Sequence, residues 1–301
     1  MIRPAAPVSV VLVLHESAAV VGHALRSLRR QSLELQLIAV DSASSDGGLE
    51  RVRGEWPEAT LLSMEENRGF ALACDRALPH ATGRTVLLLN PDAELEDGAL
   101  ATMIERLESA PALAMVAPRM LDADGRERRG DGREPSLGRW LRDLLPPPLL
   151  PAHRPRDRRE GPDWLEASCV LIDREALARI GGVDSGYFLY FEDVELGARL
   201  RAMGRTLARV PTAGARHAGA GGSGTYGPVH IAAWHESASR WISRHQLGWR
   251  GPACRAVLRV RAAIRAALWP CAFHTGLPWN ERCLRASAWW RAARRLGAAP
   301  S

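Results

Sequence analysis

The sequence predicts an α/β protein: a mostly parallel central sheet flanked by helices, followed by a C-terminal helical extension. Three observations carry this expectation. Short apolar runs alternate with helical spacings from Val8 to Ala117. Those runs are nearly continuous in apolar residues, as strands covered on both faces are. From Ile231 onward the pattern turns helical, and that stretch holds seven of the ten tryptophans.

Taken in order, Val8–Leu14 is a β-branched run that reads as a buried strand. Residues 18–31 place Val21, Leu25 and Leu28 at helical spacing. A second apolar run, Leu35–Val40, ends at Asp41. Further strands are expected at Leu61–Met64, Val86–Leu89 and Ala112–Ala117, with helices at Gly69–Leu78 and Asp97–Ser109 between them. Strands alternating with helices indicate βαβ units. Residues 122–162 break the pattern with glycine, charge and Pro146-Pro147-Pro148, and read as a flexible connection with one short helix at Leu137–Leu145. Order resumes at Trp164–Ile172, a helix follows around Glu175–Ile180, and Gly181-Gly182 stops it. Phe188 to Met203 passes from an aromatic cluster into another helix, and Thr206–Val210 is a last strand. Domains are therefore expected at 1–228 and 229–301.

Composition bounds the function. The 301 residues are 46% hydrophobic and 25% charged, which excludes a disordered, collagen-like or disulfide-framework chain. No run approaches the ~18 apolar residues of a spanning helix. Arg3 followed by Val8–Leu14 imitates a signal peptide, but His15 and Glu16 stand where a small-residue cleavage site would form, so a cytoplasmic protein is expected. Five scattered cysteines with no C-x-x-C pair argue for reduced thiols. All 40 basic residues are arginine, a bias that carries no function. Residues 218–301 hold 12 Arg against Glu236 and Glu281, a balance of +10, and leave −4 on residues 1–217. The basic character belongs to the C-terminal piece.

In parallel sheets, ligands bind beyond the carboxyl ends of the strands, so the residues just after each strand carry the chemistry. Asp41-Ser42-Ala43-Ser44-Ser45-Asp46-Gly47 puts a carboxylate there for a nucleobase or ribose, although a turn with a helix cap explains the same residues. Leu89-Asn90-Pro91-Asp92 ends a buried strand at one carboxylate, the kind of group that holds Mg²⁺ or Mn²⁺ together with substrate phosphates. Glu192-Asp193-Val194-Glu195 crowds three acids behind Tyr187–Phe191. Crowding beside apolar rings raises a carboxyl pKa, as a general base near neutrality requires; an acidic first helical turn is the alternative. His217 follows a strand. Gly219–Gly224 formally fits G-x-G-x-x-G, but only helices follow it, so a dinucleotide site is rejected.

In combination, Asp41–Asp46, Glu66-Asn67-Arg68-Gly69-Phe70-Ala71, Leu88–Asp92 and Ile180–Asp184 through Glu192–Glu195 resemble a family 2 glycosyltransferase of the rhamnosyltransferase-like branch, over roughly residues 8–224. The resemblance implies a GT-A, Rossmann-like fold and a donor site of Asp41, Ser42, Asp46, Asn67, Arg68, Gly69 and Asn90. It further implies a divalent metal (Mg or Mn) on Asp92 and His217, and catalysis by Asp193, second of the pair with Glu192. The implied reaction is inverting transfer from a nucleotide-diphosphate sugar, dTDP-rhamnose or a UDP-sugar, to a saccharide or lipid-linked saccharide in cell-surface polysaccharide synthesis. Residues 122–162 would be the acceptor loop. His15-Glu16, Asp75 and Glu195 depart from the family pattern, but none removes the base or the metal carboxylate. Intact Asp92 and Asp193 speak against the alternative, a non-catalytic nucleotide-sugar binder.

A nucleic-acid-binding role is not expected: the arginine tail lacks interleaved stacking aromatics, and the acidic N-terminal portion repels phosphate. In that tail, Val257, Val260, Ile264 and Leu268 share one helical face, with Arg255 and Arg259 opposite and Arg261 and Arg265 flanking. Tryptophans follow. That arrangement suits peripheral contact with the inner face of an anionic membrane; packing of the helix on the catalytic domain is the competing expectation.

Overall fold

The computed structural model describes residues 8–142, 144, 161–217, 227–271 and 277–296. Two compact units divide the chain. The first is Met1–Glu134, Arg159–Phe188 and Glu192–Gly224; the second is Pro135–Arg158, Leu189–Phe191 and Thr225–Ser301.

The first unit opens with β1 (Val8–Leu14), α1 (Val21–Arg29), β2 (Leu35–Ser42), α2 (Gly48–Glu55), β3 (Thr60–Met64), α3 (Phe70–Ala77) and β4 (Thr85–Leu89). Then come β5 (Ala93–Leu95), α4 (Ala99–Glu108), β6 (Leu113–Leu121), β7 (Glu127–Arg128) and β8 (Asp131–Gly132). After α5 (Leu137–Arg142) of the second unit, the first unit resumes with β9 (Trp164–Leu165), β10 (Cys169–Asp173), α6 (Arg174–Arg179), α7 (Glu192–Ala202) and β11 (Thr206–His217). The main sheet runs β3-β2-β1-β4-β10-β6-β11-β5, with β7 added on β6. Strands β3, β2, β1, β4, β6 and β11 run one way; β10, β5 and β7 run the other.

Every residue of β1 is buried. Val8, Val10, Leu12 and Leu14 join a core with Val21, Leu25 and Leu28 of α1 and with Leu100, Met103 and Leu107 of α4. Val11 and Val13 point to the opposite face by strand alternation, and α3 packs on β1 and β2. Strands buried on both faces explain the unbroken apolar runs.

Several expectations change in detail. The last strand does not stop at Val210. It continues to His217 through a register shift between Val210 and Gly214, because its second half pairs with Arg119–Leu121 of β6 and with β5. His217 is therefore a strand residue, opposite Ala93. Strand β6 likewise extends four residues past Ala117. Within 122–162, the described residues carry β7 and β8 besides the expected helix, β8 being held by Trp164–Leu165. Pro146–Pro148 and the Gly219–Gly224 loop lie outside the described residues.

The second unit contains α8 (Pro228–His245), α9 (Arg250–Leu268) and α10 (Trp279–Arg295), with a short 3-10 turn at Trp269–Cys271. The packed face of α9 is not the Val257/Val260/Ile264/Leu268 face. Gly251, Cys254, Leu258, Ala262 and Ala266 are buried instead, and Ala262 meets Ala292 and Ala293 of α10. Small residues win the contact because they let helix backbones approach closely. No helix among the described residues is long and apolar enough to cross a membrane. Cys74, Cys169, Cys254, Cys271 and Cys283 are free thiols.

Candidate active site

Strand β1 lies between β2 and β4, all parallel, with Leu14 opposite Asp41 and Leu12 opposite Leu89. Asp41 and the Asn90-Pro91-Asp92 turn therefore leave the sheet at one level, two strand spacings or about 10 Å apart. Both stand at its carboxyl edge.

On the β2 side, Asp41 is buried, and its Oδ2 accepts the Ser44 N–H at 3.2 Å. Its Oδ1 is buried with no hydrogen-bond partner, an expensive arrangement unless a ligand donor fills it. Ser42 is buried beside it, its carbonyl 3.0 Å from His15 Nδ1. Glu16 accepts the Ser45 N–H at 2.9 Å and its hydroxyl at 3.1 Å, so the His15-Glu16 departure has a structural use in bracing this loop. Asp46 spends both oxygens on backbone, Ala18 N–H at 2.6 Å and Gly48 N–H at 3.0 Å. It latches two loops together, and each oxygen keeps a lone pair that a donor could use.

Asn67 Oδ1 accepts the Gly69 N–H at 3.0 Å, and Arg68 is exposed. Gly69 has φ +97°, and a Cβ there would sit 2.1 Å from the Phe188 carbonyl oxygen. The same oxygen accepts the Phe70 N–H at 2.8 Å. This position tolerates only glycine, and it ties the Asn67-Arg68-Gly69 segment to the chain leading into α7.

At the end of β4, Asp92 Oδ1 lies 3.0 Å from His217 Nε2, and Asn90 Nδ2 lies 3.4 Å from the same nitrogen. Two residues that sequence reading missed stand behind the ring. Glu166 Oε1 is 3.5 Å from His217 Nδ1, and Arg128 Nη2 donates to Glu166 Oε1 at 2.6 Å. Burial pushes the His217 imidazole down, but hydrogen bonds and charge from Asp92 and Glu166 outweigh it and carry it up to about 9. Glu166 is held below its ordinary value: burial raises it, and His217 and Arg128 more than reverse that. One carboxylate and one imidazole, side by side, suit a divalent cation whose other positions go to substrate phosphates and water, the cation taking the place of the proton that Asp92 and Glu166 otherwise hold on the ring. Among the described residues, no cluster of three or more His, Cys, Asp or Glu forms a protein-only metal cage.

Glu192 and Asp193 open α7, and a helix turns them apart by roughly 100°. Glu192 is buried, with Oε2 unpartnered, and its charge is felt by Cys74 on α3. Asp193 turns the other way, where Glu166 and the Ala167 N–H act on it. Asp193 thus lies on the Glu166 side of the helix start and Glu192 on the Cys74 side. Burial, and for Glu192 the adjacent Asp193, push both carboxyls well above the carboxylate range. The Val194 N–H, 2.8 Å from Asp193 Oδ1, partly offsets that shift.

The mixed sheet, with Asp41 at the end of β2, Asp92 just beyond β4 and Asp193 at the start of α7, has the architecture of a GT-A glycosyltransferase. The sequence comparisons agree. The glycosyl transferase family 2 profile matches residues 9–180, and the chain belongs to that family. It is 30% identical over 257 residues to the N-acetylglucosaminyl-diphospho-decaprenol L-rhamnosyltransferase of Mycobacterium tuberculosis, covering 78% of this chain and 83% of that one. Among solved structures, mannosyltransferase PcManGT from Pyrobaculum calidifontis, in complex with GDP-Man and Mn²⁺, superposes with a TM-score of 0.59. It is 20% identical, with 98% of this chain and 88% of that one covered. A structure of S. aureus TarS has a TM-score of 0.53 at 14% identity, with 97% and 92% covered. These likenesses confirm the fold.

Proposed function

We propose that the protein transfers L-rhamnose from dTDP-L-rhamnose, with inversion, to a hydroxyl of a lipid-linked saccharide in bacterial cell-surface polysaccharide synthesis, at the cytoplasmic face of the membrane. The rhamnosyl donor and lipid-diphosphate acceptor class are supported by the relative's activity. The observation that carries the reaction is the position of Asp193, turned toward Glu166 and through it toward the Asp92–His217 pair.

Asp41 Oδ1 takes a nucleobase N–H, and Asn67, Arg68, Gly69 and Asn90 line the donor. Asp92 and His217 Nε2 would hold a divalent metal, which when bound offsets charge growing on the departing diphosphate. Glu166 and Arg128, both on the Nδ1 side of His217, would orient the ring with Nε2 toward Asp92. Asp193 accepts the proton of the acceptor hydroxyl as its oxygen bonds to the anomeric carbon. The bond from that carbon to the nucleotide diphosphate breaks on the opposite face. Its raised pKa matches a base operating near neutrality. Glu192, raised by burial and by the adjacent Asp193, lies on the other side of the helix start.

The test is transfer by the purified protein across a panel of dTDP- and UDP-sugars, with an N-acetylglucosaminyl-diphospho-lipid as acceptor and Mg²⁺ or Mn²⁺ present. Rhamnosylated lipid of inverted configuration is the expected product. Failure with every donor, while the nucleotide still raises the melting temperature, would leave a binder and overturn the reading.

A further inference from the structure

We infer that the outward face of α9 is a seat for an anionic phospholipid surface. Helix α9 has two apolar faces. One, Cys254, Leu258 and Ala262 among it, is consumed by packing. On the opposite side Val260, Ile264 and Leu268 are exposed by 50%, 45% and 64%. Side chains four apart repeat on one helical face, so these three form a continuous stripe. Leaving it in water is unfavourable by the same area argument that buries the other face.

The stripe is not an isolated irregularity. Ten of the thirteen exposed large hydrophobic residues among those described belong to the second unit, although that unit is the smaller one. Its surroundings select the occupant. Helix α9 contains five arginines and no acid. Arg259 is exposed on the side of the helix away from the stripe; Arg261 borders the stripe on one side, its guanidinium 5.3 Å from the Trp234 ring. Trp279, 59% exposed, starts α10, which packs on the turn that continues α9. An apolar stripe on a helix of five arginines and no acid, with a tryptophan close by, matches the boundary between anionic headgroups and acyl chains. A protein partner would need a compensating acidic, apolar groove. With no helix among the described residues able to span, α9 would lie flat, presenting about 28 Å of helix to the surface. The inference rests on the proposed lipid-linked acceptor, and names the surface through which the enzyme reaches it.

The experiment is flotation of the full chain with phosphatidylglycerol-containing vesicles, and with vesicles of phosphatidylcholine alone, at low and high salt and without any saccharide acceptor. The wild type is expected to float with the anionic vesicles and to be released by salt. V260S/I264S/L268S should lose about tenfold or more in partitioning, and R259E about fivefold or more. Both variants alter exposed side chains and should keep the wild-type melting temperature and transfer to a water-soluble acceptor. A wild type that stays at the bottom of the gradient, or a triple variant that floats equally well, overturns the inference. So does self-association by light scattering that the triple variant abolishes, since the stripe would then be covered by a second copy. Flotation without transfer from any donor would count against the transferase reading and leave the surface intact.

Discussion

Replacing Asp193 with asparagine should raise stability and abolish transfer together. The carboxyl at the start of α7 is partly buried, and its ionisation is opposed first by that burial and then by the nearby Glu166 charge. A carboxyl whose folded pKa lies above its unfolded value contributes stability that is complete below the unfolded pKa, near 4, and is lost as pH rises toward the folded one. Asparagine keeps the shape and cannot ionise. Its advantage is therefore absent near pH 4, grows through the acid range, and is full above neutrality. Discounted for the partial exposure of the side chain, the gain is on the order of 1–3 kcal/mol. In a domain of this size that is roughly 2–8 °C in melting temperature. Transfer should fall by ~10²–10⁴-fold, with donor affinity unchanged. Thermal melts of both proteins across pH, beside initial rates and donor calorimetry, give all three quantities. A variant that turns over normally, or whose stability relative to wild type is flat with pH, would refute the assignment of this carboxyl as a strained base.

Four further outcomes follow from the same geometry. The wild-type rate should rise with pH across the approach to neutrality rather than near pH 4, because the working base is the raised carboxyl; an acidic limb centred near 4 would contradict this. Gly69→Ala places a methyl against the Phe188 carbonyl at a left-handed φ and should destabilise by roughly 2–4 kcal/mol in urea melts, weakening donor binding as well. Asp41→Ala removes the acceptor with the unpartnered oxygen and should raise the donor Kd by about 10–100-fold, by calorimetry, without lowering the ligand-free melting temperature. Glu166→Leu should weaken Mn²⁺ binding in the presence of dTDP by about 10–100-fold, followed by the paramagnetic signal of free Mn²⁺, with Glu166→Gln recovering most of it.

Much of the first unit was legible because its signals are local. A strand buried on both faces must be apolar throughout, so β1, β2 and β4 stand out, and the chain direction of βαβ units places Asp41 and Asp92 at one edge. The residues behind the Asp92–His217 pair were hidden for a physical reason. Glu166 precedes β10, whereas the search for site residues ran along positions that follow strands. Strand β10 is antiparallel to β4, with Cys169 opposite Leu89, so its beginning lies where its neighbours end. Nothing local in Trp164–Ser168 announces that reversal. The lengths of β6 and β11 were hidden similarly: Arg119 and Arg216 are strand residues because the pairing partner supplies the hydrogen bonds, not because their side chains favour strands. Asp46 shows what the motif alone leaves out, since its carboxylate also braces the loop through two backbone N–H groups. In α9, periodicity found an apolar face correctly but could not say which of two such faces would be packed, because alanine and cysteine carry little weight in a hydrophobicity pattern and much in close helix contact.

The pairing of β11 with β5 joins Asn90 to His217 across 127 residues. A ribosome must therefore have released most of this unit before the half-built crevice beside β4 acquires its imidazole, and such distant pairing forms late relative to local structure. Fragments ending short of that strand, whether from interrupted synthesis or from protease nicking, would retain the nucleotide-facing strands without a competent diphosphate pocket. The connectivity thus makes the Asp92–His217 pair a product of the whole unit and never of its first half.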